Sequence, residues 1–232
     1  MSADRAVIPK RLGHIWIGPK IAPEHWMQTW PALHPDWEYT IYDNDFLAGY
    51  PFRLRDLINE YFWRGYYAGV QDMMRYEILY EFGGFMADAD AICKHPIDAL
   101  LVDHSKAYTV WDRFEGDPLR AVCPILACPP RHPILKLAID ELAKLRPSDL
   151  KKPEVSTGNR FLGRLLRNHD PEGKSVTIWP MHYFLPWHKS APDQYYDGPD
   201  QVYAEQQYGT SLWAYARAEG HLSAQEQRAV LR

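Results

Sequence analysis

The chain has few cysteines, no basic excess and no long apolar run. It contains only three cysteines in 232 residues, Cys93, Cys123 and Cys128. An odd number without regular spacing is not typical of a disulfide framework, so we expect all three thiols to be reduced and buried. The formal net charge is -4, which argues against nucleic-acid binding, because nucleic-acid-binding domains usually carry a basic surface.

The sequence also lacks the features of a membrane-spanning or exported chain. No apolar segment approaches the length of about 20 residues that spans a bilayer. Residues 1–10 lack the apolar core of a signal peptide. We therefore expect a cytoplasmic protein without a transmembrane segment. The length is typical of one domain, which we assign to residues 1–232.

The residues that are abundant indicate a globular α/β protein. Hydrophobic residues make up 46% of the chain, with 9 Trp, 15 Tyr and 8 Phe, and this composition is typical of a packed core. Strand-like and helix-like segments alternate, which predicts helices flanking a largely parallel sheet. The strands are predicted at 11–17, 37–42, 85–88, 107–111, 121–127 and 176–179. The helices are predicted at 23–34, 53–63, 69–82, 133–145, 158–168 and 223–232.

The most informative segment runs from Gly83 to Asp90, with the sequence GGFMADAD. A short apolar strand leads directly into Asp88 and Asp90, which are separated by one small residue. In an extended chain, residues i and i+2 point to the same side, so both carboxylates can converge on one Mg²⁺ or Mn²⁺ ion. The alternative is that the two acids cap a turn after the strand.

Asp72 and Arg75 precede this segment on a predicted helix. Their spacing of three places them on one helix face, where an acid and a base together can hold the hydroxyls of a sugar. The alternative is an ordinary surface ion pair, which contributes little to stability.

These elements together resemble a known family. The pattern Asp72-x-x-Arg75-Tyr76-x-x-Leu79-Tyr80-x-x-Gly83-Gly84-x-x-x-Asp88-x-Asp90 resembles the signature of the DXD-containing sugar transferases, glycosyltransferase family 32. The segments IPK at 8–10, HIWIG at 14–18 and HPDWEY at 34–39 also match the family. The pattern is similar to that of the glucosyltransferase domains of large clostridial toxins. The close resemblance covers roughly residues 8–100.

The resemblance implies a GT-A fold, an enzyme of the hexosyltransferase class and a nucleotide-sugar donor, for which UDP is favoured. It also implies a Mn²⁺ or Mg²⁺ ion and retention of anomeric configuration. Trp16 would stack on the base, with the backbone of Ile17 and Gly18 close to it. The remaining implied residues are Asp72 and Arg75 for the donor sugar, Asp88 for the ribose and the metal, and Asp90 for the metal.

The carboxyl-terminal part of the pattern departs from the family. Ser211 and Trp213 correspond to the family's Ser-Trp and are expected to contact the donor. Gln206 stands where the family commonly has His, and Glu205 beside it is a second candidate oxygen ligand. The resemblance therefore predicts a metal set of Asp88, Asp90 and either Glu205 or Gln206. Residues 101–232 are expected to form the acceptor side and the closing segment.

Two further groups of residues bear on the acceptor, which we expect to be a glycan or a lipid-linked molecule. Arg160, Arg164 and Arg167 share one face of a predicted helix, which is either a peripheral membrane contact or an ordinary solvated face. His182, Trp187 and His188 lie in an aromatic loop that either lines an acceptor site or packs internally.

The sequence alone leaves two alternative functions open. A phosphatase of the haloacid dehalogenase type also places Asp-x-Asp after an apolar strand. Such an enzyme needs a later acidic metal motif, for which Asp117 is the nearest candidate, but no second acid follows at Arg120, Ala121 or Val122. A non-catalytic relative that binds nucleotide sugar without turnover is compatible with the altered carboxyl-terminal motif.

Overall fold

Eight strands and eight α-helices are present in the computed structural model, which describes residues 7–113 and 121–209. The strands are β1 (Arg11–Ile15), β2 (Glu38–Tyr42), β3 (Gly84–Met86), β4 (Ala91–Cys93), β5 (Ala107–Trp111), β6 (Val122–Cys128), β7 (Val176–Trp179) and β8 (Ala204–Gln206). The helices are α1 (Glu24–Met27), α2 (Thr29–Leu33), α3 (Asn44–Gly49), α4 (Arg55–Trp63), α5 (Tyr67–Phe82), α6 (Pro133–Leu142), α7 (Pro153–Ser156) and α8 (Asn159–His169).

Six of these strands form a central sheet in the order β2-β1-β3-β6-β5-β7. The pairs β1–β2, β1–β3 and β5–β7 are parallel, and only β6 runs antiparallel to its neighbours. Strands β4 and β8 form a separate antiparallel pair. The predicted α/β class with a largely parallel sheet is therefore confirmed.

Most predicted elements lie where the sequence placed them, but the helix predicted at 23–34 is divided. Two short helices, α1 and α2, meet at Gln28. Pro31 has no N–H to donate to the preceding turn, and the Thr29 hydroxyl donates to the carbonyl of Trp26 at 2.6 Å. The helix predicted at 223–232 lies outside the described residues.

The sheet has one hydrophobic cluster on each face. Along β3, successive residues alternate between them, so that Met86 packs among α4, α5, α6 and α8 while Phe85 packs on the opposite face. On that opposite face Phe85 lies against Trp30, Trp179 and Phe184. Because both faces of β3 are buried, the strand fixes the position of the acidic segment that follows it.

Helix α5 is the longest helix in the described part of the chain and is buried along most of its length. It ends at Gly83, where φ is 66°, a conformation that glycine adopts without strain. The described residues include no helix long and apolar enough to cross a membrane.

Gly84 provides a test of this tight connection between α5 and β3. Its φ is +106°, and a Cβ atom there would lie 2.4 Å from the carbonyl oxygen of Arg11. We expect Gly84→Ala to lower the free energy of unfolding by about 1–3 kcal/mol or more. Urea denaturation measures this change. Gly49→Ala is the control, because a Cβ atom there has no neighbour within 4 Å. Equal denaturation midpoints for wild type and Gly84→Ala would contradict the steric argument.

Candidate active site

The carboxyl ends of β1 and β3 lie side by side because these strands are parallel neighbours. Ligands of open α/β sheets bind at this edge. A cleft of about 260 Å³ opens here, and we call it the acidic cleft. Its lining includes six residues that the sequence predicted: Trp16, Asp72, Arg75, Asp88, Asp90 and Gln206.

An ion pair joins helix α5 to the acidic segment. Arg75 Nη2 donates to Asp88 Oδ1 at 2.6 Å, and the Arg75 side chain is only 4% exposed. A buried guanidinium is costly unless it is paired. Asp88 therefore compensates the charge of Arg75, and the pair is not the ordinary surface ion pair that the sequence left as an alternative.

Asp72 lies one helical turn before Arg75 and is held from the other side. Thr157 Oγ1 donates to Asp72 Oδ2 at 2.8 Å. Burial raises the pKa of Asp72 to about 7, while the charge of Arg75 opposes that shift. A Cβ atom at Gly158 would lie 2.9 Å from the same Asp72 oxygen, so the glycine leaves room for the carboxyl group.

Asp90 is held by residues far away in the sequence. Gln206 Nε2 donates to Asp90 Oδ1 and the backbone N–H of Gly209 donates to Asp90 Oδ2, each at 2.7 Å. The antiparallel pairing of β4 with β8 places Ala91 opposite Gln206 and so brings the two segments together. Burial raises the pKa of Asp90 to about 6, and the nearby charge of Asp88 adds to the shift.

The oxygen atoms of this region fit a hard divalent cation. Gln206 Oε1 is buried and has no hydrogen-bond partner, and the Nε2 of the same amide group donates to Asp90. Carboxylate and amide oxygens are ligands that suit Mg²⁺ and Mn²⁺. Within 7–113 and 121–209, however, no group of three or more His, Cys, Asp or Glu side chains is arranged to hold a metal.

Of the three residues predicted around the base, only Trp16 lines the acidic cleft. Trp16 is partly exposed and lines the acidic cleft, and its Nε1 donates to the carbonyl of Lys20 at 2.8 Å. Ile17 is buried in the core. The backbone N–H and carbonyl of Gly18 both bind the side chain of Asn44. Neither Ile17 nor Gly18 lines the acidic cleft, and their backbone contact with a base stays a prediction.

Glu205 is likewise not brought to the acidic pair. Adjacent residues of a strand point to opposite faces, and Glu205 forms an ion pair with Lys94 while Gln206 faces Asp90. Of the two candidate ligands, only Gln206 therefore contacts Asp90, and its role as a metal ligand stays a prediction. Ser211 and Trp213 lie outside the described residues.

Several lining residues were not predicted from the sequence as part of the cleft. They include Asp112 at the end of β5, Cys123 in β6, and Lys189 and Tyr208 in the carboxyl-terminal part. Cys123 Sγ lies 3.6 Å from Asp88 Oδ2, and burial raises the pKa of this thiol well above its usual value. All three cysteines are free and buried, as expected from the sequence.

The raised pKa of Asp72 makes its contribution to the stability of the fold depend on pH. Since the native state holds this proton up to a higher pH than the unfolded state, the contribution of Asp72 is full below about pH 4 and is lost as pH rises to about 7. We expect Asp72→Asn, whose amide oxygen still accepts from Thr157, to remove this loss. As pH rises, the difference in unfolding free energy between variant and wild type should grow, by up to about 1.4 kcal/mol for each unit by which the pKa of Asp72 is raised.

Urea denaturation from pH 4 to pH 8 measures this difference. Asp170→Asn is not a suitable control, because the Asp170 carboxylate accepts several backbone hydrogen bonds. Asp193→Asn serves instead, since Asp193 is exposed. A constant difference between Asp72→Asn and wild type across this range would show that Asp72 does not titrate as described.

Residues 23–107 match the family model described as "Glycosyltransferase sugar-binding region containing DXD motif". Two similar relatives come from Schizosaccharomyces pombe (strain 972 / ATCC 24843). Inositol phosphoceramide mannosyltransferase 2 is 33% identical over 148 residues, which cover 60% of this chain and 39% of that protein. Inositol phosphoceramide mannosyltransferase 1 is 32% identical over 186 residues, covering 71% of this chain and 54% of the relative. The chain thus spans about half or less of the length of these relatives.

Solved structures show the same fold at low sequence identity. The PaToxG glycosyltransferase superimposes with a TM-score of 0.58 at 17% identity, covering 72% of each chain. The UDP-bound glycosyltransferase domain from the YGT toxin gives a TM-score of 0.55 at 8% identity, covering 97% of this chain and 89% of that one. The predicted GT-A fold is confirmed. Residues 23–107 of this chain are thus similar to the sugar-binding region of the DXD-containing glycosyltransferases, the family that the motifs resemble.

Proposed function

We propose that this chain is a glycosyltransferase that transfers a sugar from a nucleotide-sugar donor to a hydroxyl group of a glycan or a lipid-linked acceptor. One observation carries the proposal: Trp16, Asp72, Arg75, Asp88, Asp90 and Gln206, drawn from four separate segments, line one cleft at the carboxyl ends of β1 and β3. The family match over residues 23–107 supports a transferase over the phosphatase alternative.

The donor would lie across the acidic cleft. The partly exposed ring of Trp16 offers a face on which a base can stack, and Asp72 and Arg75 would bind the sugar hydroxyls. The relatives named as mannosyltransferases favour a mannosyl donor. The UDP-bound toxin domain of the same fold is compatible with a uridine nucleotide, which the motifs also favoured.

Asp88, Asp90 and Gln206 would hold a Mn²⁺ or Mg²⁺ ion beside the donor's diphosphate. Such an ion neutralises charge that develops on the leaving diphosphate. In this arrangement Gln206 would turn its amide oxygen toward the ion, while the Gly209 N–H continues to orient Asp90. Arg75 would keep Asp88 in place through their ion pair.

We further propose that transfer retains the anomeric configuration by front-face attack. The acceptor oxygen forms a bond to the anomeric carbon as the bond from that carbon to the diphosphate breaks, and the hydroxyl proton passes to the departing diphosphate. Asp72, Asp88 and Asp90 are held by Thr157, Arg75 and Gln206 respectively, which suits binding and orientation of the donor.

A cytoplasmic location with peripheral membrane contact remains part of the proposal. Arg160, Arg164 and Arg167 are exposed on α8, where they would face anionic headgroups. Arg160 lies 3.4 Å from Glu154, and Glu154 lines the acidic cleft. This face therefore adjoins the proposed active site.

A panel of nucleotide sugars tests the donor site. We expect one of UDP-glucose, UDP-galactose and GDP-mannose to raise the melting temperature in the presence of Mn²⁺, because a ligand that binds the native state stabilises it. Asp88→Asn combined with Asp90→Asn should abolish this stabilisation and donor turnover. Asp90→Asn alone should do the same while keeping the Arg75–Asp88 pair, so that a loss cannot be assigned to an unpaired Arg75.

Glu172→Gln, which changes an exposed surface carboxylate, should behave as wild type in this panel. Unchanged metal-dependent turnover in the folded Asp90→Asn variant would refute the site assignment. Donor binding by the wild type without hydrolysis or transfer to any acceptor would instead favour the non-catalytic relative.

Nucleotide affinity tests the role of Trp16. We expect Trp16→Ala to weaken the binding of the preferred nucleotide roughly tenfold, because aromatic stacking on a base contributes about 1–3 kcal/mol. Isothermal titration calorimetry measures the affinity. Trp63→Ala is the matched control, since Trp63 is 84% exposed and does not line the cleft. Equal affinities for wild type and Trp16→Ala would reject the stacking role.

A further inference from the structure

A second, larger cleft lies next to the acidic cleft. It has a volume of about 590 Å³, within the range of small-molecule sites. We call it the aromatic cleft, and its lining includes Trp111, His182, Trp187, Gln194, Tyr195 and Tyr196. This region includes the aromatic loop for which the sequence left open either an acceptor site or internal packing.

The two clefts share a wall built from two chain segments. Leu185 lines both clefts. At the end of β5, Trp111 and Arg113 line the aromatic cleft while Asp112 between them lines the acidic cleft. A group bound in the aromatic cleft would therefore lie beside a group bound in the acidic cleft, on the other side of this wall.

The wall is held by contacts that run from one cleft to the other. The ring of Tyr208, which lines the acidic cleft, packs edge-on against the ring of Trp187 with a centroid distance of 4.8 Å. The Tyr208 hydroxyl donates to the carbonyl of Trp187 at 3.0 Å. Because Trp187 lines the aromatic cleft, its position is fixed relative to the acidic cleft.

The chemistry of the aromatic cleft suits a ring that has C–H faces and a polar rim. The rings of His182 and Tyr196 stack in parallel, with centroids 3.9 Å apart. Tyr195 is 49% exposed, and its hydroxyl donates to Glu205 Oε2 at 3.3 Å. Aromatic faces carry partial negative charge, so they attract the C–H face of a ring whose hydroxyl groups bind polar atoms at its edge.

We propose that the aromatic cleft is the acceptor subsite and binds the pyranose or cyclitol ring whose hydroxyl group receives the sugar. This inference rests on the proposed function, because it names the site of the second substrate. The acceptor hydroxyl reaches the donor's anomeric carbon across the top of the shared wall. The bonds formed and broken are those of the front-face transfer described above.

Saturation-transfer NMR tests ring binding independently of catalysis. The probes are methyl α-D-mannopyranoside and myo-inositol at about 10 mM, a concentration suited to weak binding. We expect at least one probe to bind wild type, and the signal to fall at least about threefold in Tyr195→Ala. Tyr195→Phe keeps the ring and should bind as wild type. Tyr66→Ala replaces a tyrosine of similar exposure outside the cleft and should also bind as wild type.

Nucleotide binding and donor hydrolysis are measured on the same samples. Both should be unchanged in Tyr195→Ala, while transfer to the probe falls. Binding of neither probe to a wild-type protein that hydrolyses donor, or an equal probe signal in Tyr195→Ala and wild type, would overturn the acceptor subsite. If a probe binds as expected but no nucleotide sugar binds, the proposed function fails and the acceptor role fails with it.

Discussion

The acidic cleft depends on the ion pair between Asp88 and the buried guanidinium of Arg75. Removing Asp88 would leave an uncompensated buried charge on Arg75, which costs far more than an exposed ion pair gains. The pair fixes the first acid of the Asp-x-Asp segment to helix α5, while Thr157 fixes Asp72 on the neighbouring turn of the same helix. Helix α5 and strand β3 thus act as one support, since both are buried and only Gly83 separates them.

The second acid depends on a different part of the chain. Asp90 is held by Gln206 and Gly209, and their segment reaches it through the β4–β8 pair. The two acids of this short motif are therefore oriented in different ways. Asp88 is oriented by charge from the amino-terminal half, and Asp90 is oriented by neutral donors from the carboxyl-terminal half. A donor bound between them would contact both halves of the chain.

Local patterns predicted much of this architecture. Strand β3, helix α5 and the acids after β3 could be predicted from the sequence because the apolar periodicity, the glycine pair and the Asp-x-Asp spacing all lie within about twenty residues. The sequence did not predict β4 and β8, because three-residue strands carry too little periodicity and pair only through distant partners. Similarly, Asp112 and Tyr208 carry no local signal of their position, and the preference for Gln206 over Glu205 required knowledge of which face of β8 meets Asp90.

The long separation between β4 and β8 also bears on how the site assembles during folding. Asp88 and Arg75 are 13 positions apart, whereas Gln206 and Asp90 are 116 apart. Closing a longer loop costs more chain entropy, and contacts between distant segments slow folding. We expect the Arg75–Asp88 half of the cleft to form early and the Asp90 half to form late. During synthesis, Asp90 would acquire its partners only after residue 209 has left the ribosome, so the cleft stays incomplete while only the preceding residues have emerged.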